Sequence, residues 1–327
     1  MAEARRKAQQ TMSHPSGQSH PLRPNKQSHP LRAARREAVP VPQWPSYTGT
    51  SQFVGTSPSG RANIFVDPTL GQPGIQNAQD LVQDADRVAT ANDALFGTTG
   101  GTVNVIVFAL GGMTDGTGGA DHMGCDYMTG QNIEVCASFG QRLRVSGLFE
   151  AELSECSMGG NLCGVSTGEA LSRWCAAAIN QNALSDFATG PAWVQEGMRD
   201  FVNTTAPTDQ DAASTGCGMV FLSWLQGPPA TTGLMRYSLA KIAQALVTLG
   251  DAGTLAGLYA ALTGDAASNA WPKFRAAVQH LPHGVTDDDP FGGLVSPPPP
   301  PPPPSTGNLM VTSTITPGTY TLRPVTP

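Results

Sequence analysis

Long hydrophobic runs are scarce in this chain of 327 residues. The longest lies at Val103–Leu110, far short of the roughly 18 apolar residues that a membrane-spanning helix requires. We therefore expect no membrane span. The first forty residues also lack the apolar central segment of a secretory signal, so the sequence gives no recognisable export signal there.

Charged and aromatic residues are also few, at 13% and 6% of the sequence. Residues 1–40 carry eight Lys or Arg against two Glu and are near +6, which leaves the remainder near −12. An acidic body without clustered basic and aromatic residues excludes a nucleic-acid surface. We expect the basic arm to contact anionic surfaces, and the sequence indicates no more specific partner.

Several catalytic patterns are missing from the body. GxSxG is absent, which excludes the nucleophile elbow of the α/β-hydrolases. Cys156 directly follows Glu155, and a neighbouring carboxylate disfavours the thiolate that a cysteine nucleophile needs. Histidine is scarce as well, since His122 is the first in the body and His280 is the next.

All six cysteines lie in the middle of the chain: Cys125, Cys136, Cys156, Cys163, Cys175 and Cys217. An even number in one region is typical either of disulfides in an oxidising compartment or of buried thiols in a cytoplasmic protein. The disulfide alternative favours an extracellular or cell-surface location, whereas the missing signal opposes it. The sequence leaves localisation open.

A predicted hairpin favours one cysteine pairing. If Gly130 and Gln131 centre a tight turn, Cys125 faces Cys136 across two strands, where a disulfide fits the required spacing. The other preferred pairs are Cys156 with Cys163, which flank a short loop, and Cys175 with Cys217.

Composition divides the chain into four parts. Residues 1–43 repeat SHP in a basic arm, which we expect to be disordered. Residues 44–284 have the apolar content of a folded domain. Residues 285–304 form an acidic linker ending in a proline run, a stiff polyproline II spacer, and residues 305–327 alternate like a short β-tail.

Within the body, predicted strands precede predicted helices. The β-branched segments GRANIFVDPT and TVNVIVFAL read as strands on either side of a helix at Asn77–Phe96, and a short strand follows at Asn132–Ser138. The later predicted helices are Arg142–Met158, Thr167–Asn180, Pro191–Val202, Thr215–Leu225, Leu234–Leu249, Gly253–Leu262 and Ala270–Leu281. This order predicts an α+β fold, with a small N-terminal mixed sheet and a mainly helical lobe.

The most informative segment, Arg142–Trp174, puts Glu152 and Glu155 on one helix among apolar neighbours. Residues three apart share a helix face, so both carboxylates lie on a stripe with Leu148. Carboxylates are rarely buried without partners, which indicates a cation, a hydrogen-bond network or a cleft. Glu150 lies to the side of this face, where we expect it to be solvated.

Three segments resemble the zincin metallopeptidases, and in particular the peptidases related to basic secretory proteins: FEAELSEC in the position of the HExxH helix, PAWVQEGMRDFV, and CGMVFLSWL. The body from about Tyr47 to Leu281 is also similar to a group of uncharacterised bacterial proteins that share FEAELSEC and STGEALSRW. The first resemblance implies a zincin-like fold and a degenerate peptidase site.

The resemblance assigns roles to the carboxylate helix. In zincins the two histidines of HExxH bind zinc and the glutamate is the catalytic base. Here Ala151 and Glu155 occupy the histidine positions and Glu152 that of the catalytic glutamate. Because both imidazoles are missing, a normal zinc site is not expected. An oxygen-rich site around Glu155 would instead favour Ca²⁺, Mg²⁺ or Mn²⁺.

Glu169 and Glu196 are both candidates for a further metal ligand, by resemblance to the glutamate of a following helix. Ser166 and Glu169 also read as a capping box, with Arg173 one turn later. Glu196 has its own alternative as a solvated helix residue beside Arg199. The sequence does not choose between these roles.

His122 could supply an imidazole to the Glu152 region. It lies in a glycine-rich loop, with Asp121 and Asp126 beside it as candidate orienting groups. The alternative is a histidine exposed on a surface loop.

Two functional hypotheses follow. The first is a non-catalytic binding or structural relative of metallopeptidases, because the histidine ligands are missing. The alternative is an atypical metal-dependent hydrolase with a carboxylate-rich site around Glu152 and Glu155. An open cleft over Glu152 would favour the enzyme, and no cofactor beyond a divalent cation is indicated.

Overall fold

A computed structural model describes residues 39–110, 119–126, 130–160, 162–208, 210–228 and 237–294. Most of the predicted basic arm, the proline run and the predicted β-tail lie outside these residues. The α+β class is confirmed, because a mixed sheet of five strands packs with helices. Among the described residues, no helix combines the length and apolarity needed to cross a membrane.

The described strands form one sheet with the order β1-β2-β3-β5-β4. Their bounds are Gln52–Thr56 for β1, Ala62–Val66 for β2, Val103–Phe108 for β3, Ala120–His122 for β4 and Asn132–Cys136 for β5. Strands β2, β3 and β5 run parallel, and β1 and β4 are antiparallel to their neighbours. The central strands are β-branched and buried on both faces, as parallel strands usually are.

Opposite faces of the sheet are covered differently. On one face, alternate residues such as Ile64 and Val105 pack against helices. On the other face, Phe65 and Ile106 pack with Trp44 from the segment that precedes β1. The carboxylate of Glu134 fastens this segment, since it accepts hydrogen bonds from Ser46 and from the next backbone N–H. Period-two alternation therefore gives the sheet two buried faces.

Helix α1, Gly71–Phe96, connects the parallel strands β2 and β3. It begins six residues earlier than predicted, and its first turn contains Pro73, where the missing N–H costs no helical hydrogen bond. Its apolar stripe includes Leu81, Ala85 and Val88, all buried against the sheet. Helix α1 also packs against the helix at Arg142–Met158, which carries Glu152 and Glu155.

Helix α2, Arg142–Met158, has the predicted bounds but a different environment. Nearly every residue from Arg144 onward is buried, because the helix lies between α1, the sheet and the next helix. The expectation that Glu150 is solvated was wrong: its side chain is fully buried on the side away from the Glu152 face. Because the helix is buried all round, its sequence has no amphipathic pattern that would show which side chains are buried.

The remaining helices form a second lobe. They are α3 Ser166–Ile179, α4 Gly190–Gln195, α5 Ala212–Gln226, α6 Leu239–Leu249, α7 Leu255–Thr263 and α8 Ala270–Gln279. Aromatic residues fill their core, with Trp193 stacked on Phe274 and Trp224 stacked on Tyr259. Helix α4 is shorter than predicted, since Met198 adopts a left-handed conformation (φ 53°) just beyond its end.

The disulfide differs from the predicted pairing. Cys125 bonds Cys163, with their Cα atoms 5.9 Å apart. Cys136 lies instead opposite Gly119, whose carbonyl accepts the Cys136 backbone N–H. The predicted two-residue turn was wrong, because β4 ends at His122 and Cys125 lies beyond the paired region. The predicted pairs of Cys156 with Cys163 and of Cys175 with Cys217 do not form either.

Candidate functional site

A cleft of about 370 Å³ opens where β4, α2 and α3 meet. Its polar lining consists of Asp121, His122, Glu152, Glu155, Glu169, Arg173 and Gln210. Its apolar lining includes Leu110, Leu148, Ala151, Leu184 and Phe187. The cleft therefore combines acid, base and cationic groups with apolar walls, as ligand sites commonly do.

Strand pairing directs His122 into this cleft. His122 lies opposite Ile133 in the antiparallel pair of β4 and β5, and opposed residues project from the same face of a sheet. Ile133 packs in the core beneath α1 and α2. The imidazole consequently points towards α2, although it comes from a short edge strand.

Helix periodicity supplies the other groups. On α2, Leu148, Ala151, Glu152 and Glu155 have the spacing of one helix face, and all four line the cleft. On α3, Glu169 and Arg173 are one turn apart and ion-paired, with Nη1 and Oε1 separated by 3.5 Å. The face predicted from the sequence is thus the face that meets the cleft.

The imidazole of His122 contacts two groups through its two nitrogens. Nδ1 lies 2.5 Å from the carbonyl oxygen of Gly124, which can only accept, so Nδ1 carries a proton. Nε2 lies 3.0 Å from Oε2 of Glu155 and 3.9 Å from Oε2 of Glu152. The carbonyl thereby fixes the ring so that Nε2 faces both carboxylates.

Glu155 is itself held from the opposite side. The hydroxyl of Ser172 on α3 donates to Oε1 of Glu155 at 2.8 Å, which leaves Oε2 directed at His122. Only 5% of Glu155 is exposed. The His122–Glu155 contact is therefore braced by α3 and by the loop that carries Gly124.

Burial controls protonation in this cluster. Burial, and next the charge of Glu155, raise the pKa of Glu152 well above its usual range, with His122 acting in the opposite direction. For His122, burial lowers the pKa, but hydrogen bonds with Cys156 and Glu155 outweigh it and raise the pKa to about 11. Burial and the neighbouring groups thus favour the neutral form of Glu152 and the cationic form of His122.

Cys156 is a neutral thiol beside this pair. Burial raises its pKa, and its Sγ donates to the carbonyl of Gly130 at 3.2 Å. Its hydrogen bond with the imidazole also contributes to the raised pKa of His122. Gly130 must be glycine here, because a Cβ would lie 2.3 Å from the carbonyl oxygen of Gly124 and 2.5 Å from the Cys156 sulfur.

Several other candidate residues do not have the positions or contacts that the sequence analysis predicted. Glu196 is exposed after the end of α4 and does not line the cleft. Asp126 is exposed on the loop, and Asp121 accepts the backbone N–H of His122. Glu169 lines the cleft, while the hydroxyl of Ser166 accepts the backbone N–H of Ala206 instead of capping α3.

The sequence reasoning missed two contributors to the site. Ser172 orients Glu155, and Cys163 brings its sulfur within 4.8 Å of the donor atoms of both His122 and Glu155. The Glu155–Ser172 contact joins two helices, and the approach of Cys163 depends on a loop between them. The only sequence signal was the placement of Cys163 shortly after α2.

No protein-family model and no curated protein matches this sequence. The function is therefore argued from the cleft.

Proposed function

We propose that this domain is a zincin-like, cation-dependent hydrolase of atypical ligand set, with its reaction centre at His122, Glu152 and Glu155. One observation carries the proposal. His122 Nε2 and Glu155 Oε2 lie 3.0 Å apart at an open cleft, with the other imidazole nitrogen donating to a carbonyl. Histidines that bind metals almost always have such a second partner.

The donor set fits a divalent cation. His122 and Glu155 would hold it once the cation had displaced the proton on His122 Nε2, and Glu169 lines the same cleft. An imidazole nitrogen with carboxylate oxygens suits Mn²⁺ or Zn²⁺ better than Ca²⁺ or Mg²⁺. When bound, such a cation would polarise a carbonyl oxygen of the substrate as a Lewis acid.

Glu152 is the acid–base group in this proposal. Glu152 is 9% exposed and reaches the cleft beside Glu155. A carboxyl whose pKa is raised by burial can donate a proton to a leaving group. Glu152 also aligns with the catalytic glutamate of the zincin motif, which supports the same role.

The substrate class that fits is an extended peptide. Among the strands that the structure describes, β4 is outermost, with β5 as its neighbour, and Asp121 and His122 of β4 line the cleft. An extended chain can pair with an edge strand through its backbone. The apolar wall of Leu148, Leu184 and Phe187 would then receive a side chain.

A second candidate function is a non-catalytic binding domain on the same scaffold. The observation that favours it is Ala151, which lines the cleft at the first ligand position of the motif but has no donor atom. In that case His122 and Glu155 would satisfy each other as a structural ion pair, and the cleft would bind a peptide without cleaving it.

Peptide cleavage separates the two candidates. The full chain, supplied with Mn²⁺ or Zn²⁺, is incubated with a mixture of unstructured peptides, and products are identified by mass spectrometry. We expect cation-dependent cleavage that Glu152→Gln lowers by about 100-fold or more, with Glu196→Gln as the exposed control. Cleavage that survives Glu152→Gln, or peptide binding without cleavage by the wild type, would overturn the hydrolase proposal.

A further inference from the structure

We infer that Cys163, once released from its disulfide with Cys125, is a third cation ligand beside His122 and Glu155, so that reduction creates a zinc-type site of one nitrogen, one oxygen and one sulfur. This inference rests on the proposed function, because it uses the same His122–Glu155 pair. It adds the preferred metal and a means of regulation. The chemical class of ligand is a borderline-soft divalent cation such as Zn²⁺.

The geometry of three donor atoms supports the inference. A ring nitrogen of His122, a carboxylate oxygen of Glu155 and Sγ of Cys163 all lie within 4.8 Å of one another. Glu155 and Cys163 are buried, at 5% and 2% exposure. The three donor atoms come from a strand, a helix and the segment between two helices. Their closeness therefore results from the fold and not from neighbouring positions in the sequence.

Cys163 is held in place without the disulfide. Its neighbour Leu162 is buried and donates its backbone N–H to the carboxylate of Asp251 at 3.2 Å. The backbone of Gly168 on α3 also packs so closely that a Cβ there would lie 1.8 Å from the carbonyl oxygen of Leu162. Breaking the disulfide should therefore leave the Cys163 sulfur near His122 and Glu155.

The two halves of the disulfide differ in burial. Cys125 is half-buried on the loop that follows β4, whereas Cys163 is 2% exposed. Cys125 does not belong to the three-donor cluster. Reduction therefore separates a sulfur held against the site from one on the neighbouring loop.

The redox step balances with a dithiol as reductant. The dithiol gives two electrons and two protons to the sulfurs of Cys125 and Cys163, the S–S bond breaks, and the reductant becomes a cyclic disulfide. The sulfur of a disulfide carries no charge, whereas a thiolate is a strong ligand for zinc. Cys163 releases its thiol proton to solvent as its sulfur binds the cation.

A matched pair of serine variants tests this inference. Cys125→Ser and Cys163→Ser both remove the disulfide, but only Cys125→Ser keeps the proposed sulfur ligand. Each full-length variant is titrated with Co²⁺, whose bonds to thiolate give a charge-transfer absorption in the near ultraviolet. We expect this absorption for Cys125→Ser and not for Cys163→Ser. We also expect Co²⁺ affinity to be at least about 100-fold lower in Cys163→Ser, since losing even an outer-shell partner costs roughly 10- to 100-fold.

Wild-type protein provides a test that needs no substitution. A phosphine reductant breaks the disulfide, taking up oxygen as phosphine oxide while water supplies that oxygen and the two protons. After its removal, Co²⁺ should give the charge-transfer absorption, and re-oxidised protein should not. Absorption that is absent from both reduced wild type and Cys125→Ser, or equal in the two serine variants, would overturn the inference.

Cation binding by Glu155→Gln distinguishes failure of this inference from failure of the proposed function. If Glu155→Gln removes Mn²⁺ binding by the oxidised protein while both serine variants bind Co²⁺ alike, the proposed function stands and the sulfur ligand is refuted. If Glu155→Gln leaves cation binding unchanged in oxidised and reduced protein, the shared pair is not a cation site and both proposals fail.

Discussion

The Nε2 atom of His122 lies 3.0 Å from Oε2 of Glu155, although the two residues are 33 positions apart in the sequence. One belongs to the edge strand β4 and the other to the buried helix α2. Around this contact stand Glu152, a carbonyl that fixes the ring and a serine that fixes the carboxylate. The account of function depends on this pair.

Ser172→Ala tests whether the hydrogen bond from Ser172 is needed to orient Glu155 for cation binding. The substitution removes the hydroxyl that donates to Oε1 of Glu155 at 2.8 Å. We expect Mn²⁺ or Zn²⁺ affinity to fall by about tenfold or more, as for other outer-shell partners, and the unfolding free energy to fall by about 1 kcal/mol. Isothermal titration and urea unfolding measure the two effects.

The control for Ser172→Ala is Thr248→Ala. Thr248 is exposed on α6, and its hydroxyl donates to the carbonyl of Gln244, so its loss should leave cation affinity unchanged. Equal cation affinity in wild type and Ser172→Ala would contradict the role given to Ser172.

Gly130→Ala tests the loop that holds the His122 ring. A Cβ at this position would lie 2.3 Å from the carbonyl oxygen of Gly124, the group that fixes Nδ1. Because the loop must shift, we expect a loss of unfolding free energy of about 1 to 3 kcal/mol together with weaker cation binding. Gly101→Ala is the matched control, since a Cβ added there would meet open space, with no contact within 4 Å among the described residues. A Gly130→Ala protein as stable as Gly101→Ala would argue against this tight packing.

The buried carboxyl of Glu150 should make the unfolding free energy of the protein depend on pH. It is fully buried, and within the described part of the chain neither carboxylate oxygen has a hydrogen-bond partner. Burial raises the pKa of Glu150 well above its usual 4.5, with Arg87 acting in the opposite direction and Asp93 adding to the rise. The folded protein therefore retains this proton to higher pH than the unfolded chain does.

The sign of the effect follows from that difference. The contribution of Glu150 to stability is fully present below the unfolded-state pKa and is lost as pH rises, by about 1.4 kcal/mol per pH unit until the folded carboxyl ionises. Glu150→Gln, which cannot ionise, should gain stability relative to wild type as pH rises above the ordinary glutamate pKa of about 4.5. Urea unfolding at several pH values measures this, with the exposed Glu196→Gln as the control for the charge change. A stability difference between Glu150→Gln and wild type that does not vary with pH would refute the prediction.

Local patterns predicted much of the fold. The bounds of α2 agree with its predicted range because helix formers such as Leu148, Glu152 and Leu153 lead up to Gly159, whose positive φ ends the helix. Strands β2 and β3 follow from their β-branched residues. Strand β1 was missed, since it is a short edge strand with a register shift near Gly55 and little burial.

The site was only partly predictable. The shared face of Glu152 and Glu155 follows from helix geometry alone. The approach of His122 depends on the register of β4 against β5, and that of Cys163 on a loop between two helices. The wrong turn assignment at Gly130 also misplaced Cys125, because one loop length determines which residues face each other.

Cation binding by the oxidised full chain tests the central claim most directly. Elemental analysis and Mn²⁺ or Zn²⁺ titration are made on wild type, Glu155→Gln and His122→Ala, with Glu196→Gln as the exposed carboxylate control. The account predicts about one cation per chain in wild type and control, and a large loss of affinity in both site variants. Cation-free wild type, or unchanged binding in Glu155→Gln and His122→Ala, would contradict it and leave the His122–Glu155 pair as a structural contact.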